Sequence, residues 1–240
     1  MISGLLYSML AALGDIIGGA LVIGAPRRER TALALLVGFG AGFMLAVALI
    51  EMVPAAIELG DGLVAVLVGY LGVHLTQHTL TPHFHFGEET HTEAMVSRGI
   101  GVWALIGLVP HSFFDGVAIS SAFLRSHELG LLVFAAIVLH KVPTGVSLAS
   151  VMLASGNSRR QAAVAVLGIA VATVLGAVAT PTFAPLARWG LALAAGVTIY
   201  VAASNLIPES QHERSWWVQG GVFAGVVAFY LVRLILPEAA

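Results

Sequence analysis

Eight long apolar stretches, separated by short polar or Pro/Gly-rich breaks, divide this 240-residue chain. They run approximately over Ser3–Ala25, Thr31–Pro54, Gly62–Leu80, Gly99–Leu124, Leu129–Ala154, Arg160–Thr182, Pro185–Pro208 and Ser215–Leu236. A helix needs about 20 predominantly apolar residues to cross a bilayer's hydrocarbon core, so each stretch predicts one membrane-spanning helix. Only the third connection, about residues 81–98, is long enough to be a real loop. The expected fold is therefore all-α: a single polytopic membrane domain over residues 1–240 with eight transmembrane helices.

Composition strengthens this reading. Hydrophobic residues make up 58% of the chain and charged residues 10%, against roughly 25% charged in soluble domains. Such a chain has no polar coat for water, and the lipid bilayer becomes its expected surroundings. The net charge of −2 gives no electrostatic handle for nucleic acid. The absence of cysteine excludes thiolate metal sites and disulfides, leaving His, carboxylate, hydroxyl and backbone oxygen as metal ligands. No basic segment precedes the first apolar stretch, so no cleaved signal peptide is expected.

Arginine placement orients the helices, because short cytoplasmic loops accumulate Lys and Arg. With the N-terminus outside, the inner connections carry Arg27, Arg28, Arg30, Arg98, Arg159, Arg160 and Arg214, and the outer ones Arg125, Arg188 and Arg233. Both termini are then expected outside, with the 81–98 loop cytoplasmic, in a cell membrane that we expect to be a bacterial inner membrane. The outer turn Glu58–Asp61 is acidic, as suits a cation entrance.

The chain also resembles itself. AGFMLAVALIEMVP (Ala41–Pro54) and AGVTIYVAASNLIP (Ala195–Pro208) align without a gap, sharing Ala-Gly, Val-Ala and the closing Pro. His111-Ser-Phe-Phe-Asp115-Gly-Val on the fourth helix is echoed by His140-Lys-Val-Pro-Thr144-Gly-Val on the fifth. Helices 1–3 and 6–8 then form an inverted repeat around a central pair, an arrangement that places a transporter's binding site near the midplane.

Ionisable groups inside membrane helices are costly and mark functional candidates. His111 and Asp115 share one helix face, as do His140 and Thr144. Two imidazoles, a carboxylate and a hydroxyl suit Zn²⁺, Fe²⁺, Mn²⁺, Co²⁺ or Cd²⁺. Pro143 cannot donate a backbone hydrogen bond, which frees the Leu139 carbonyl beside His140.

These two motifs resemble those of the ZIP (Zrt/Irt-like) metal transporters, whose fourth helix typically reads His-Asn-x-x-Glu-Gly and fifth His-Glu-x-x-Glu-Gly. The resemblance extends over nearly the whole chain: eight helices, both termini outside, Pro-terminated second and seventh helices, and a His-containing loop after the third. That loop carries His83, His85 and His91 with Glu88, Glu89 and Glu93. The resemblance implies transport of divalent cations, zinc foremost, by alternating access. It also implies a binuclear site. One position maps onto His111, Asp115, His140 and Thr144. The second maps onto Ser112, Lys141 and a helix-six residue near Thr173.

Here the chain departs from the family pattern. Asp115 is a shortened carboxylate, Thr144 has lost one, and Lys141 replaces an anion with a cation. An ammonium one ion's width from a divalent cation repels it strongly in a low dielectric. The expected site is therefore mononuclear, with Lys141 standing in for the second metal and pairing with Asp115.

Further candidates are Glu51 and Asn205, at matched places three residues before Pro54 and Pro208, and Asp15 on helix one. His74, His78, His83, His85 and His91 could capture metal on the inner side. Gly14, Gly18, Gly19, Gly38, Gly40 and Gly42 form small-residue faces for close helix packing. Two other readings stay open: an intramembrane zinc hydrolase, and a non-transporting metal sensor or partner subunit. Against the hydrolase, the chain carries no H-E-x-x-H and no G-x-S-x-G. A homodimer is compatible with all three.

Overall fold

The computed structural model describes residues 2–24, 30–80, 98–208 and 216–235. The helices are α1 (Ile2–Gly24), α2 (Arg30–Val47, continued by a π-helical turn Ala48–Met52 and by Val53–Ile57), α3 (Gly62–Leu80), α4 (Arg98–Arg125), α5 (His127–Ala154), α6 (Arg159–Thr182), α7 (Ala184–Tyr200, continued by a π-helical turn Val201–Leu206) and α8 (Trp216–Ile235). Seven of these are long and apolar enough to cross a membrane, and the apolar stretch Gly62–Gln77 of α3 is shorter. No strand occurs among the described residues. The chain is an all-α, multi-pass membrane protein. Large apolar side chains such as Leu67, Val164, Leu175 and Phe223 stay exposed along the helices, where lipid rather than water is their solvent.

Local chemistry explains where the helices end and bend. Ser126 caps α5 by accepting a hydrogen bond from the Leu129 amide (3.1 Å). Ser158 and Gln161 form a reciprocal capping box on α6. The π-turns follow from Pro54 and Pro208, which cannot donate to the carbonyl one turn earlier. In each helix the residue before the proline reaches back five residues instead of four: the Val53 amide donates to Ala48 and the Ile207 amide to Ala202. These are equivalent positions of the two matched segments, so the sequence echo reappears as the same backbone distortion.

Helix pairing obeys the same two-fold relation. α1 packs on α5 as α6 packs on α4, α2 on α8 as α7 on α3, and α2 on α5 as α7 on α4. Glycines make the crossings close. Gly18 abuts the Val142 carbonyl and Gly145 that of Asp15, while Gly176 abuts Phe113 and Gly116 abuts Thr173. Likewise Gly42 meets Val222 and Gly225 meets Phe39, while Gly196 meets Val66 and Gly69 meets Leu193. A Cβ at any of these eight positions would strike a neighbouring carbonyl oxygen. Two bodies result. α1, α4, α5 and α6 form one; α2, α3, α7 and α8 form the other, which meets the first mainly through α2 on α5 and α7 on α4.

The apolar core falls into two clusters. One includes Ala118, Ile119 and Ala122 of α4 with Leu132, Val133 and Ile137 of α5. The other includes Ala104 and Leu108 of α4 with Leu148, Ala149 and Met152 of α5. The segments between them, 111–115 on α4 and 140–144 on α5, form a polar layer within about one turn of the midpoint of each helix.

Candidate metal centre

α4 and α5 present their polar residues to one another across this layer. His111 and Asp115, one turn apart, are 4% and 3% exposed, and Nε2 of His111 lies 3.5 Å from Oδ2 of Asp115. His140 is buried on α5, with its Nε2 3.4 Å from the same oxygen. The donor atoms of the three residues all lie within 4.8 Å of one another. Ligands held about 2.0–2.1 Å from a tetrahedral Zn²⁺ sit about 3.3–3.4 Å apart, so the two His–Asp separations are those of a tetrahedral edge.

The orientation of His140 is set from behind. Its Nδ1–H donates to the Ala136 carbonyl (3.3 Å), which turns Nε2 toward Asp115. A backbone acceptor on the far ring nitrogen is the usual way a metal-binding imidazole is held. Nε2 of His140 and Nδ1 of His111 are buried without a hydrogen-bond partner, as is Oγ of Ser112. Two ring nitrogens, Nε2 of His111 and Nε2 of His140, converge on one carboxylate oxygen, an arrangement that a cation would stabilise.

Thr144 lies one turn beyond His140, and its hydroxyl donates to the His140 carbonyl (2.9 Å). Its oxygen keeps lone pairs but carries no charge. The Leu139 carbonyl, freed by Pro143, faces α2 at Gly40, 3.5 Å from where a Cβ would stand.

Beside the triad lies Lys141, fully buried. Its Nζ is 3.0 Å from Oδ2 of Asp115 and 2.9 Å from Oδ2 of Asp15, and donates to Oγ1 of Thr173 at 2.8 Å. Three oxygens surround the ammonium within 3.0 Å, the Thr173 hydroxyl as a hydrogen-bond acceptor and the two carboxylates as ion-pair partners. Four helices thus converge on one side chain: Asp15 from α1, Asp115 from α4, Lys141 from α5 and Thr173 from α6. The pairing with Asp115 follows the sequence expectation. The pairing with Asp15 was not legible there, because helix one's neighbour cannot be read from hydropathy. The Gly14/Gly18 and Gly145 faces were the available hint, since small residues mark the closest crossings.

The remaining candidates are placed apart from this cluster by their partners. Glu51, in the π-turn of α2, pairs with Arg233 of α8 (2.9 Å). Asn205, in the equivalent π-turn of α7, donates to Gln77 of α3 (3.2 Å). The two contacts obey the same two-fold relation as the helices. Glu58 and Arg125 form an ion pair, so the α2–α3 and α4–α5 turns lie at the same end of the molecule. His74 is exposed on α3, its ring 5.8 Å from that of Tyr200. His83, His85 and His91 lie outside the described residues, as does the side chain of His78.

Fold and site together define the class: a membrane-embedded helical bundle with internal two-fold pseudosymmetry and a buried imidazole–carboxylate centre on two central helices. The family model described as ZIP Zinc transporter matches residues 76–231, and the chain belongs to that family. Among its relatives, zinc transporter ZIP13 of Pongo abelii is 32% identical over 131 residues, covering 52% of this chain and 40% of that protein. Zinc transporter SLC39A7 of Canis lupus familiaris is 31% identical over 172 residues, covering 64% and 35%. Zinc transporter ZupT of Enterobacter sp. (strain 638) is 31% identical over 136 residues, covering 52% of each chain. The matches thus span about half or less of these relatives' own length.

Proposed function

We propose that this protein carries divalent metal ions, zinc foremost, across a membrane through a mononuclear site formed by His111, Asp115 and His140, with Thr144 as a neutral fourth donor. The observation that carries this reading is the convergence of three buried donor atoms within 4.8 Å, near the middle of two central helices, in a member of a transporter family. Zinc is favoured because two imidazoles and one carboxylate suit it better than an all-oxygen set would.

Lys141 bears on the stoichiometry. Its ammonium is held by Asp15, Asp115 and Thr173 and leaves no room or charge for a second divalent ion. The loaded site therefore holds one metal. Movement is proposed as alternating access, the body carrying the site rocking against the other. The smooth glycine crossings lie within each body, which keeps each one stiff. Both termini outside, a bacterial inner membrane and metal capture by the 81–98 loop belong to the same proposal.

The test is flux of Zn²⁺, Fe²⁺, Mn²⁺ and Cd²⁺ into proteoliposomes, wild type against His111→Ala. Saturable zinc flux that His111→Ala abolishes supports the carrier. No flux from folded, metal-binding protein would sink it and favour a sensor or partner subunit plugged by Lys141.

A further inference from the structure

The glycine crossings supply a residue-by-residue equivalence between the two halves of the body formed by α1, α4, α5 and α6. Asp15 and Gly18 of α1 stand to Gly145 and Val142 of α5 as Thr173 and Gly176 of α6 stand to Gly116 and Phe113 of α4, with a constant offset in each helix pair. The pseudo-two-fold axis therefore exchanges His111 with His140, Asp115 with Thr144, Ser112 with Lys141, and Asp15 with Thr173.

Lys141 breaks this symmetry in sequence but respects it in space. Its Nζ is 2.9 Å from Asp15 and 2.8 Å from Thr173, residues that the axis interchanges. A point equidistant from two equivalent positions lies on the plane that bisects them, and that plane contains the axis. The ammonium accordingly sits where an anion on α1 and an anion on α6 would serve it equally. In this chain only the α1 position is charged. Oδ1 of Asp15 accepts no hydrogen bond and is buried, so the carboxylate's polar contact in the described structure is the ion pair through Oδ2.

We propose that Asp15 is a positioning residue for the metal centre, acting through Lys141, and that the same role can be performed from position 173 on α6. The inference rests on reading the α4–α5 cluster as the cargo site. Asp15 shares the Lys141 ammonium with Asp115. Without it the ammonium's whole charge falls on Asp115 Oδ2, the oxygen that faces both imidazoles. Asp115 then becomes a poorer ligand, and an uncompensated positive charge adds its repulsion to the bound cation.

The experiment uses Co²⁺ as the probe, binding to the full-length protein in detergent, with affinity from titration and ligand geometry from the visible absorption of the bound ion. Three proteins are compared: wild type, Asp15→Asn, and the exchange variant carrying Asp15→Thr with Thr173→Asp. Asp15→Asn is expected to weaken Co²⁺ binding by on the order of tenfold to a hundredfold and to alter the absorption. The exchange variant is expected to return both to within about threefold of wild type. If Asp15→Asn does not fold, the exchange variant alone carries the test, since it retains one anion beside the ammonium. A folded exchange variant that binds as poorly as Asp15→Asn overturns the inference. So does an Asp15→Asn protein that loses thermal stability while keeping wild-type affinity and spectrum, because that is a purely structural role. Absence of Co²⁺ binding in the wild type overturns the cargo-site reading itself, and this inference with it.

Discussion

Lys141→Met is the perturbation whose outcome the structure specifies most fully. Methionine keeps the length and the apolar stem but deletes the ammonium. The deletion leaves Asp15 and Asp115 buried side by side without the cation that separates them. Breaking one buried ion pair by removing a partner costs about 3–5 kcal/mol. Here two carboxylates lose the same partner, so that range is a lower estimate for the metal-free protein. For a chain of this size each kcal/mol moves the melting temperature by about 2–4 °C, which gives a drop of roughly 6–20 °C. Zinc should reverse it. Two freed carboxylates can hold a divalent ion where the ammonium stood, and a ligand at 100 times its Kd stabilises by about 2.7 kcal/mol. The assay is intrinsic-fluorescence melting in detergent, with EDTA and with graded Zn²⁺, together with bound zinc per chain. The variant should melt well below wild type in EDTA, gain more from zinc, and bind a second equivalent. Adding Asp15→Asn should recover part of the EDTA stability and abolish the second equivalent. A Lys141→Met protein that melts within about 2 °C of wild type in EDTA would falsify the view that the ammonium holds the layer together.

Other expectations follow from the same geometry. Thr144→Glu restores a carboxylate beside the triad and should tighten zinc binding by about tenfold or more, read by competition titration; unchanged affinity would exclude position 144 from the coordination sphere. Gly42→Ala should destabilise the protein by about 1–3 kcal/mol, because the added methyl strikes the Val222 carbonyl. Gly72→Ala, which meets nothing within 4 Å, should leave stability unchanged or slightly raised, and equal losses at both sites would refute the packing argument. Glu51→Gln should cost less than about 1 kcal/mol, since Arg233 is 42% exposed and its pair with Glu51 is screened. Loss of flux at unchanged stability would instead place Glu51 on the ion path.

Much of the architecture is determined by local sequence. A run of about twenty apolar residues must become a helix in lipid, because no water is there to satisfy the backbone. That argument located the helices to within a few residues of their observed ends. The motif residues were legible for a related reason. His111/Asp115 and His140/Thr144 share a helix face through spacing alone, and polar groups deep in apolar stretches stand out against their background. The π-turns were half legible. Pro54 and Pro208 mark where a backbone bond must be lost, but not that the helix would repair itself by reaching five residues back.

What only the tertiary structure decided is which helix faces which. Hydropathy is nearly uniform around these helices, so it carries no record of neighbours. Asp15 became the counter-ion of Lys141 because glycines at 14, 18 and 145 let α1 and α5 approach until backbone touches backbone. Glu51 went to Arg233 and Asn205 to Gln77 because α2 lies on α8 and α7 on α3. The energy of a buried charge depends on partners a few ångströms away in space, and those partners lie up to 126 residues away in the chain for Lys141. A pattern of local spacings can propose the charges, but only the packed bundle pairs them.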